Sequence, residues 1–306
     1  MPPLDLQKAM ATARRAVEAA SAAELAHFQR GVRVEMKPDR TPVTAADREG
    51  EAAILAVIRE AFPDHACLGE ETGAHAGSAA SRWIVDPLDG TKGFTRGRGF
   101  WGPLVALEHE GEIVAGAMAL PALGETYWGA RGLGAWMRTA DGDPVRLSVS
   151  RVTGWADATL SLGEPHLLLA PPLLERVGRL ATSCATARCY GDLAGCALVL
   201  QGRAEAWIEA GVKIWDLAPL KVLVEEAGGR FTDLAGKATV ASGACVASNG
   251  LVHGRVLAAL RTRPRRSPRP PPRSARAGGR EGPSPSPPRS GGEGRGEGAR
   301  PRRKRR

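Results

Sequence analysis

The chain has few cysteines. There are five, Cys67, Cys184, Cys189, Cys196 and Cys245, and no two stand in a C-x-x-C pair. An odd number at irregular spacing argues against a disulfide framework or a zinc ribbon, and fits small apolar side chains in a reducing compartment. Nor do the six histidines form an H-x-H or H-E-x-x-H pair, so neither a zinc site nor histidine-based phosphotransfer is expected. Residues 129–134 lack G-x-G-x-x-G spacing, which rejects a dinucleotide fold. No stretch reaches the ~20 apolar residues of a membrane span. Residues 1–5 lack the basic and apolar regions of a secretory signal. The expected location is the cytoplasm, with no membrane partner.

What is present is an ordinary globular body with an unusual end. Apolar residues make up 43% of the 306, enough for a real core. The net charge of +9 is unevenly placed. Residues 261–306 hold 16 of the 42 basic residues and 3 of the 33 acidic ones, so the tail carries +13 and residues 1–260 carry −4. The tail is rich in Pro, Gly, Arg and Ser and ends Arg302-Arg303-Lys304-Arg305-Arg306. Such a segment cannot bury enough apolar surface to offset its ordering entropy, and disorder is expected from 261 on. A weak, salt-sensitive contact with nucleic acid is the one activity its charge suggests. It lacks the interleaved aromatics of a dedicated single-strand binder, and the acidic body would repel a polyanion.

Along the body, Leu4, Met10, Val17, Leu25 and Phe28 are spaced for one face of a helix ending at Gly31. Residues 32–43 read as extended or loop, broken by Pro38 and Pro42. Thr44 three residues before Asp47 signals an N-cap with an acidic first turn, opening a helix that closes before Pro63. The pattern then turns to strands at 82–85, 104–108, 113–119, 125–128, 147–149 and 158–162, with a hairpin turn at His109-Glu110-Gly111-Glu112. Helices follow near 173–181, 192–201, 216–227 and 250–260, with strands near 204–209 and 230–233. This predicts a layered α/β body with an α+β half at 1–145 and an α/β half at 146–260.

Three distant segments share one chemistry: Gly69-Glu70-Glu71, Asp86-Pro87-Leu88-Asp89-Gly90-Thr91 and Trp215-Asp216-Leu217-Ala218-Pro219. They supply five carboxylates, and hard divalent cations take oxygen ligands. An apolar strand delivers Asp86 at its end. Pro87 and Gly90 are expected to force a tight turn that brings Asp89 back into the same space. The Leu88 carbonyl is a free ligand in such a turn, and the Gly90 and Thr91 N–H groups offer an anion cradle. Taken singly, the loop also fits a surface turn, the Glu pair a solvated edge and Asp216 a helix cap. Taken together, Glu70, Asp86, Asp89 and Asp216 would repel one another without cations between them.

These motifs, with Glu225-Glu226-Ala227-Gly228-Gly229, resemble the inositol monophosphatase superfamily over residues 5–260. The resemblance implies a layered αβαβα sandwich of the inositol monophosphatase or sugar phosphatase type, two or three Mg²⁺ ions, a small phosphorylated metabolite as substrate and a homodimer. It implies that Glu70, Asp86 and the Leu88 carbonyl hold one ion, and Asp86, Asp89 and Asp216 a second. Gly90 and Thr91 would bind the phosphate. Glu70 and Thr91 would orient the attacking water, with Asp47 of Val43-Thr44-Ala45-Ala46-Asp47 polarising Thr91.

The stretches 92–97, 101–107 and 121–132, with Arg188-Cys189-Tyr190-Gly191-Asp192 and residues 247–253, are similar to the histidinol-phosphatase branch of that family. Its substrate carries an ammonium and an imidazole. Glu209 and Asp192 are the candidate acids for these groups, and Arg188 the candidate for the phosphate or a ring nitrogen. Inositol 1-phosphate and 3′-phosphoadenosine 5′-phosphate are the alternative substrates. Leu193-Ala194-Gly195-Cys196 replaces aromatics usual in the branch and predicts a roomier pocket.

Overall fold

The computed structural model describes residues 4–30, 34–38, 42–78 and 80–261. The expectation of a disordered basic tail falls, beyond Arg261, outside the described residues.

Alanine sets the first layer. Helix α1 (Leu6–Arg30) buries Ala9, Ala13, Ala16, Val17 and Ala20, a stripe at helical spacing with side chains short enough for close approach. After a two-stranded ribbon, β1 (Glu35–Met36) and β2 (Pro42–Val43), comes α2 (Ala45–Ala61), packed along α1. Its N-terminus is the predicted capping box, with Thr44 at the cap and Asp47 reaching back.

The next run builds an eight-stranded sheet: β3 (Ala66–Gly69), β4 (Gly73–His75), β5 (Ser81–Asp89), the short α3 (Thr91–Phe94), β6 (Gly102–His109), β7 (Glu112–Leu120), β8 (Glu125–Ala130), β9 (Gly134–Thr139) and β10 (Val145–Arg146). The spatial order is β10-β9-β8-β7-β6-β5-β3-β4. All pairs are antiparallel except β3 with β5. The β6–β7 hairpin turns on Glu110 and Gly111, both at positive φ (51° and 82°), as a two-residue hairpin loop requires. Strand alternation sorts the core. Trp83, Val85, Val105, Leu107 and Ala117 face α1 and α2, whereas Ile84, Leu104, Ala106 and Met118 face the opposite way.

A five-stranded sheet follows, formed by β11 (Thr159–Leu162), β12 (Thr186–Cys189), β13 (Ala206–Ala210), β14 (Arg230–Thr232) and β15 (Ala244–Ser248) in the order β12-β11-β13-β15-β14. Its helices are α4 (Pro165–Leu168), α5 (Leu174–Ser183), α6 (Asp192–Leu200), α7 (Ile214–Glu226) and α8 (His253–Arg261). Helices α6 and α7 lie between the sheets, while α5 and α8 cover the outer face of the second. The layers therefore run α1/α2, sheet, α6/α7, sheet, α5/α8, which is the αβαβα sandwich. No described helix is long and apolar enough to cross a membrane.

Candidate active site

On a regular strand, residues three apart point to opposite faces. Asp86 and Asp89 escape that rule because β5 bulges between them. Asp86 pairs with Leu104 and Asp89 with Gly102, so three steps on β5 match two on β6. The expected tight turn after Val85 is instead this bulge, and β5 runs on to Asp89. Pro87 sits inside it, where its missing N–H costs no ladder bond. The Leu88 N–H donates to Asp86 Oδ1 at 2.9 Å, fixing that carboxylate. Gly90 then turns with φ 84°; a Cβ there would lie 2.7 Å from the Phe100 carbonyl.

Two helices of the middle layer complete the cluster. Asp216, in the first turn of α7, accepts the Lys213 N–H at 2.6 Å. Asp89 accepts the Leu193 N–H of α6 at 2.8 Å. Asp86, Asp89 and Asp216 offer oxygens all within 4.8 Å of one another. Burial first, then Glu70, Asp216 and Asp89, raise the Asp86 carboxyl well above the usual carboxylate range. Asp89 is raised by burial, Asp192 and Asp216. Asp216 is pushed up to about 6, chiefly by burial. Three hard oxygen donors, forced together and driven toward neutrality, fit a divalent cation, which would let all three ionise.

Glu70 lines the same cavity from the end of β3, and its N–H bonds to the Val85 carbonyl at 3.1 Å. Its side chain meets the Lys37 ammonium at 2.9 Å, and Glu71 meets the same ammonium at 2.5 Å. Burial lowers the Lys37 ammonium, but Glu71 and Glu70 outweigh it and raise the group above its ordinary value. Lys37 was unforeseen, because residues 32–43 carry no pattern beyond their prolines. Glu51, one turn after Asp47 on α2, is a second unforeseen group. Wholly buried, it accepts the N–H groups of Glu71 and Thr72, each at 2.9 Å.

The Thr91 hydroxyl lies 3.2 Å from Asp47 Oδ1 and 2.9 Å from the Leu88 carbonyl. The Leu88 carbonyl, expected to be free, thus has a hydroxyl on one lone pair and keeps the other. Asp47 is raised by burial, which its bonds from Thr44 and Thr91 oppose. Behind it, Glu24 of α1 is wholly buried with neither oxygen hydrogen-bonded among the described residues. Burial and Asp47 push it well above the usual range, which favours the neutral acid.

One cavity of about 500 Å³ is lined by Lys37, Glu70, Asp86, Asp89, Thr91 and Asp216 together with Asp192 and Glu209. Glu209 Oε1 takes the N–H groups of Glu164 and Ala210, both at 2.9 Å. Burial, the largest influence, pushes Glu209 up to about 7 and Asp192 up to about 6. Arg188 is not brought here. It is exposed on β12, the edge strand, and its guanidinium bonds the Ala187 carbonyl at 2.8 Å. The roomier pocket expected from Leu193-Ala194-Gly195-Cys196 is corrected too. Leu193, Ala194 and Cys196 are buried in the core between the sheets, and none of the four lines the cavity.

Residues 5–265 match the model of the inositol monophosphatase family. The chain belongs to that family. It is therefore a phosphoric monoester hydrolase acting on small phosphorylated substrates. Family members similar to it include a histidinol-phosphatase of Mycobacterium tuberculosis, 40% identical over 259 residues, which covers 84% of this chain and 97% of that one. A histidinol-phosphatase of Chlorobaculum parvum is 38% identical over 256 residues, 83% of this chain and 95% of that one. Among solved family structures, the extragenic suppressor protein suhB from Bartonella henselae superposes with a TM-score of 0.76 at 29% identity, over 83% of this chain and 98% of that one. An IMPase from Thermotoga maritima gives 0.71 at 29% identity, over 83% and 96%.

Proposed function

We propose that this phosphatase hydrolyses histidinol phosphate to histidinol, in histidine biosynthesis and in the cytoplasm, with two or three Mg²⁺ ions. The observation that carries the reading is one cavity that joins the three-aspartate cluster to two further acids, Asp192 and Glu209. Asp86, Asp89 and Asp216 adjoin the Gly90–Thr91 cradle, Asp192 stands beside Gly90, where a Cβ would lie 3.1 Å from its Oδ2, and Glu209 lines the same cavity. The histidinol-phosphatases covering over four-fifths of the chain support the same choice.

Glu70, Asp86, the Leu88 carbonyl, Asp89 and Asp216 would hold the ions. Bound Mg²⁺ supplies positive charge against the phosphoryl and leaving oxygens and acidifies water. The chain supplies the rest. Gly90 and Thr91 present N–H groups at the start of α3 to orient the phosphate. Thr91 has one hydroxyl proton, which goes to Asp47 or to the Leu88 carbonyl. Either way its oxygen remains an acceptor for the attacking water, and Glu70 is the neighbouring base. Asp192 and Glu209 face the cationic part of the substrate.

The test is phosphate release from histidinol phosphate, inositol 1-phosphate and 3′-phosphoadenosine 5′-phosphate, with Mg²⁺ and with EDTA. Histidinol phosphate should lead by about tenfold or more in kcat/KM. Equal rates in EDTA, or a lead for either other ester, would refute the reading. We further propose a homodimer, and a tail from 262 that has no catalytic duty and touches nucleic acid only weakly. Removing residues 263–306 should leave turnover intact.

A further inference from the structure

Glu164 lines the cavity beside Glu209 and carries two partners of its own. Its Oε2 lies 3.6 Å from the Lys92 ammonium, and its Oε1 lies 2.9 Å from His166 Nδ1. One carboxylate thus already faces an ammonium and an imidazole. These are the two nitrogen groups of a phosphorylated imidazolyl amino alcohol. The Lys92 contact is loose, longer than a hydrogen bond, and the Lys92 side chain is 66% exposed, so it is easily exchanged. Lys92 also directly follows Thr91, which puts the ammonium it offers within a side chain's length of the phosphate cradle. Glu164 is well aimed. Its N–H is held on Glu209, which is 2% exposed, and Gly163 runs so close that a Cβ would fall 1.5 Å from Glu209 Oε2.

We infer that Glu164 selects the substrate's amine, and that Lys92 holds the ammonium position until the substrate's own ammonium takes it. Lys92 is then released toward the phosphate at its neighbour Thr91. The inference rests on the histidinol-phosphate reading and names the residue that would carry its specificity. Asp192 and Glu209 deepen the negative potential, but neither has an ammonium of the chain within ion-pairing distance among the described residues.

The experiment compares histidinol phosphate with its N-acetyl derivative, which keeps the imidazole and the phosphate and loses the ammonium. Wild-type enzyme, E164Q and E164D are assayed for KM and kcat at low and high salt. The preference for the amine over the acetyl ester should fall about fivefold in E164Q, mostly through KM, and less in E164D, with the difference shrinking at high salt. An unchanged preference in E164Q overturns the role of Glu164 and leaves the substrate reading intact. An equal loss on both esters reveals a merely structural role and also overturns it. A wild-type enzyme indifferent to acetylation removes the substrate reading itself, and the inference with it.

Discussion

Replacing Glu51 with Gln tests whether a residue that touches no substrate sets the grip on the metal. Glu51 accepts two backbone N–H groups, those of Glu71 and Thr72, and the Thr72 hydroxyl as well. Both N–H groups belong to the turn that carries Glu70. A Cβ on Gly69 would lie 2.4 Å from Glu51 Oε1, so the carboxylate fits directly beneath the strand end. Glutamine has the same shape but only one acceptor oxygen. Its amide must then face one of the two N–H groups, which loses a charge-assisted bond and orphans a donor, at about 1.5–3 kcal/mol. Alanine orphans both donors and leaves a void, at about 3–5 kcal/mol. A loosened turn lets Glu70 drift, and loss of such outer support weakens metal sites about tenfold or more. Urea unfolding in EDTA reads the first effect, and the Mg²⁺ concentration for half-maximal phosphate release reads the second. An E51Q protein with wild-type unfolding would refute the hydrogen-bond argument. One that is destabilised but has wild-type Mg²⁺ dependence would refute the positioning argument.

Three further outcomes follow from the site. D86N should lower turnover by about a hundredfold or more, because it removes charge at the reacting centre. In EDTA near pH 8 it should be more stable than wild type, since Asn keeps an oxygen for the Leu88 N–H and removes one of three crowded charges; saturating Mg²⁺ should reverse that order, read by thermal unfolding. G163A should displace Glu209 and lower kcat/KM for histidinol phosphate more than for inositol 1-phosphate, and equal losses would place Glu209 outside substrate choice. Glu209 and Asp192 have folded-state values of about 7 and about 6, above unfolded values near 4. The folded protein therefore binds more protons than the unfolded chain across that interval. Their stabilising contribution is complete below about pH 4 and is lost as pH rises through 6 to 7. In EDTA, the urea midpoints of D192N/E209Q should fall less steeply over this range than those of wild type, and parallel curves would refute the assignment.

Local chemistry made much of the fold readable. The Thr44–Asp47 capping box and the Glu110-Gly111 turn each depend on a few adjacent residues, and both appear where the residues predict them. Helices α1, α2, α6 and α7 start within about two residues of their expected positions, as cap residues and apolar spacing of three to four allow. Strands β9, β12 and β15 were missed because their residues are small, mixed or short in run, and only pairing with neighbours defines them. The acids were legible as a set, since a site for a hard divalent cation calls for oxygen donors and carboxylates are the commonest such side chains. Their meeting place was not, because it depends on a bulge in β5 that Pro87 alone does not announce. Lys37, Glu51, Glu24 and Glu164 share the same difficulty: each matters through a contact distant in sequence, and none belongs to a motif of its own. Arg188 fails in the opposite direction, a charge near a motif that β12 turns outward.

Asp216 rides on α7, far downstream of Asp86 and Asp89 in β5. A ribosome making this protein releases the first sheet well before the last carboxylate is synthesised. The nascent N-terminal part therefore never faces the full electrostatic conflict, and it also lacks the third carboxylate of the cluster. If the cluster holds ions as proposed, their capture would be a late event in biogenesis, arriving only once α7 has slotted between the layers.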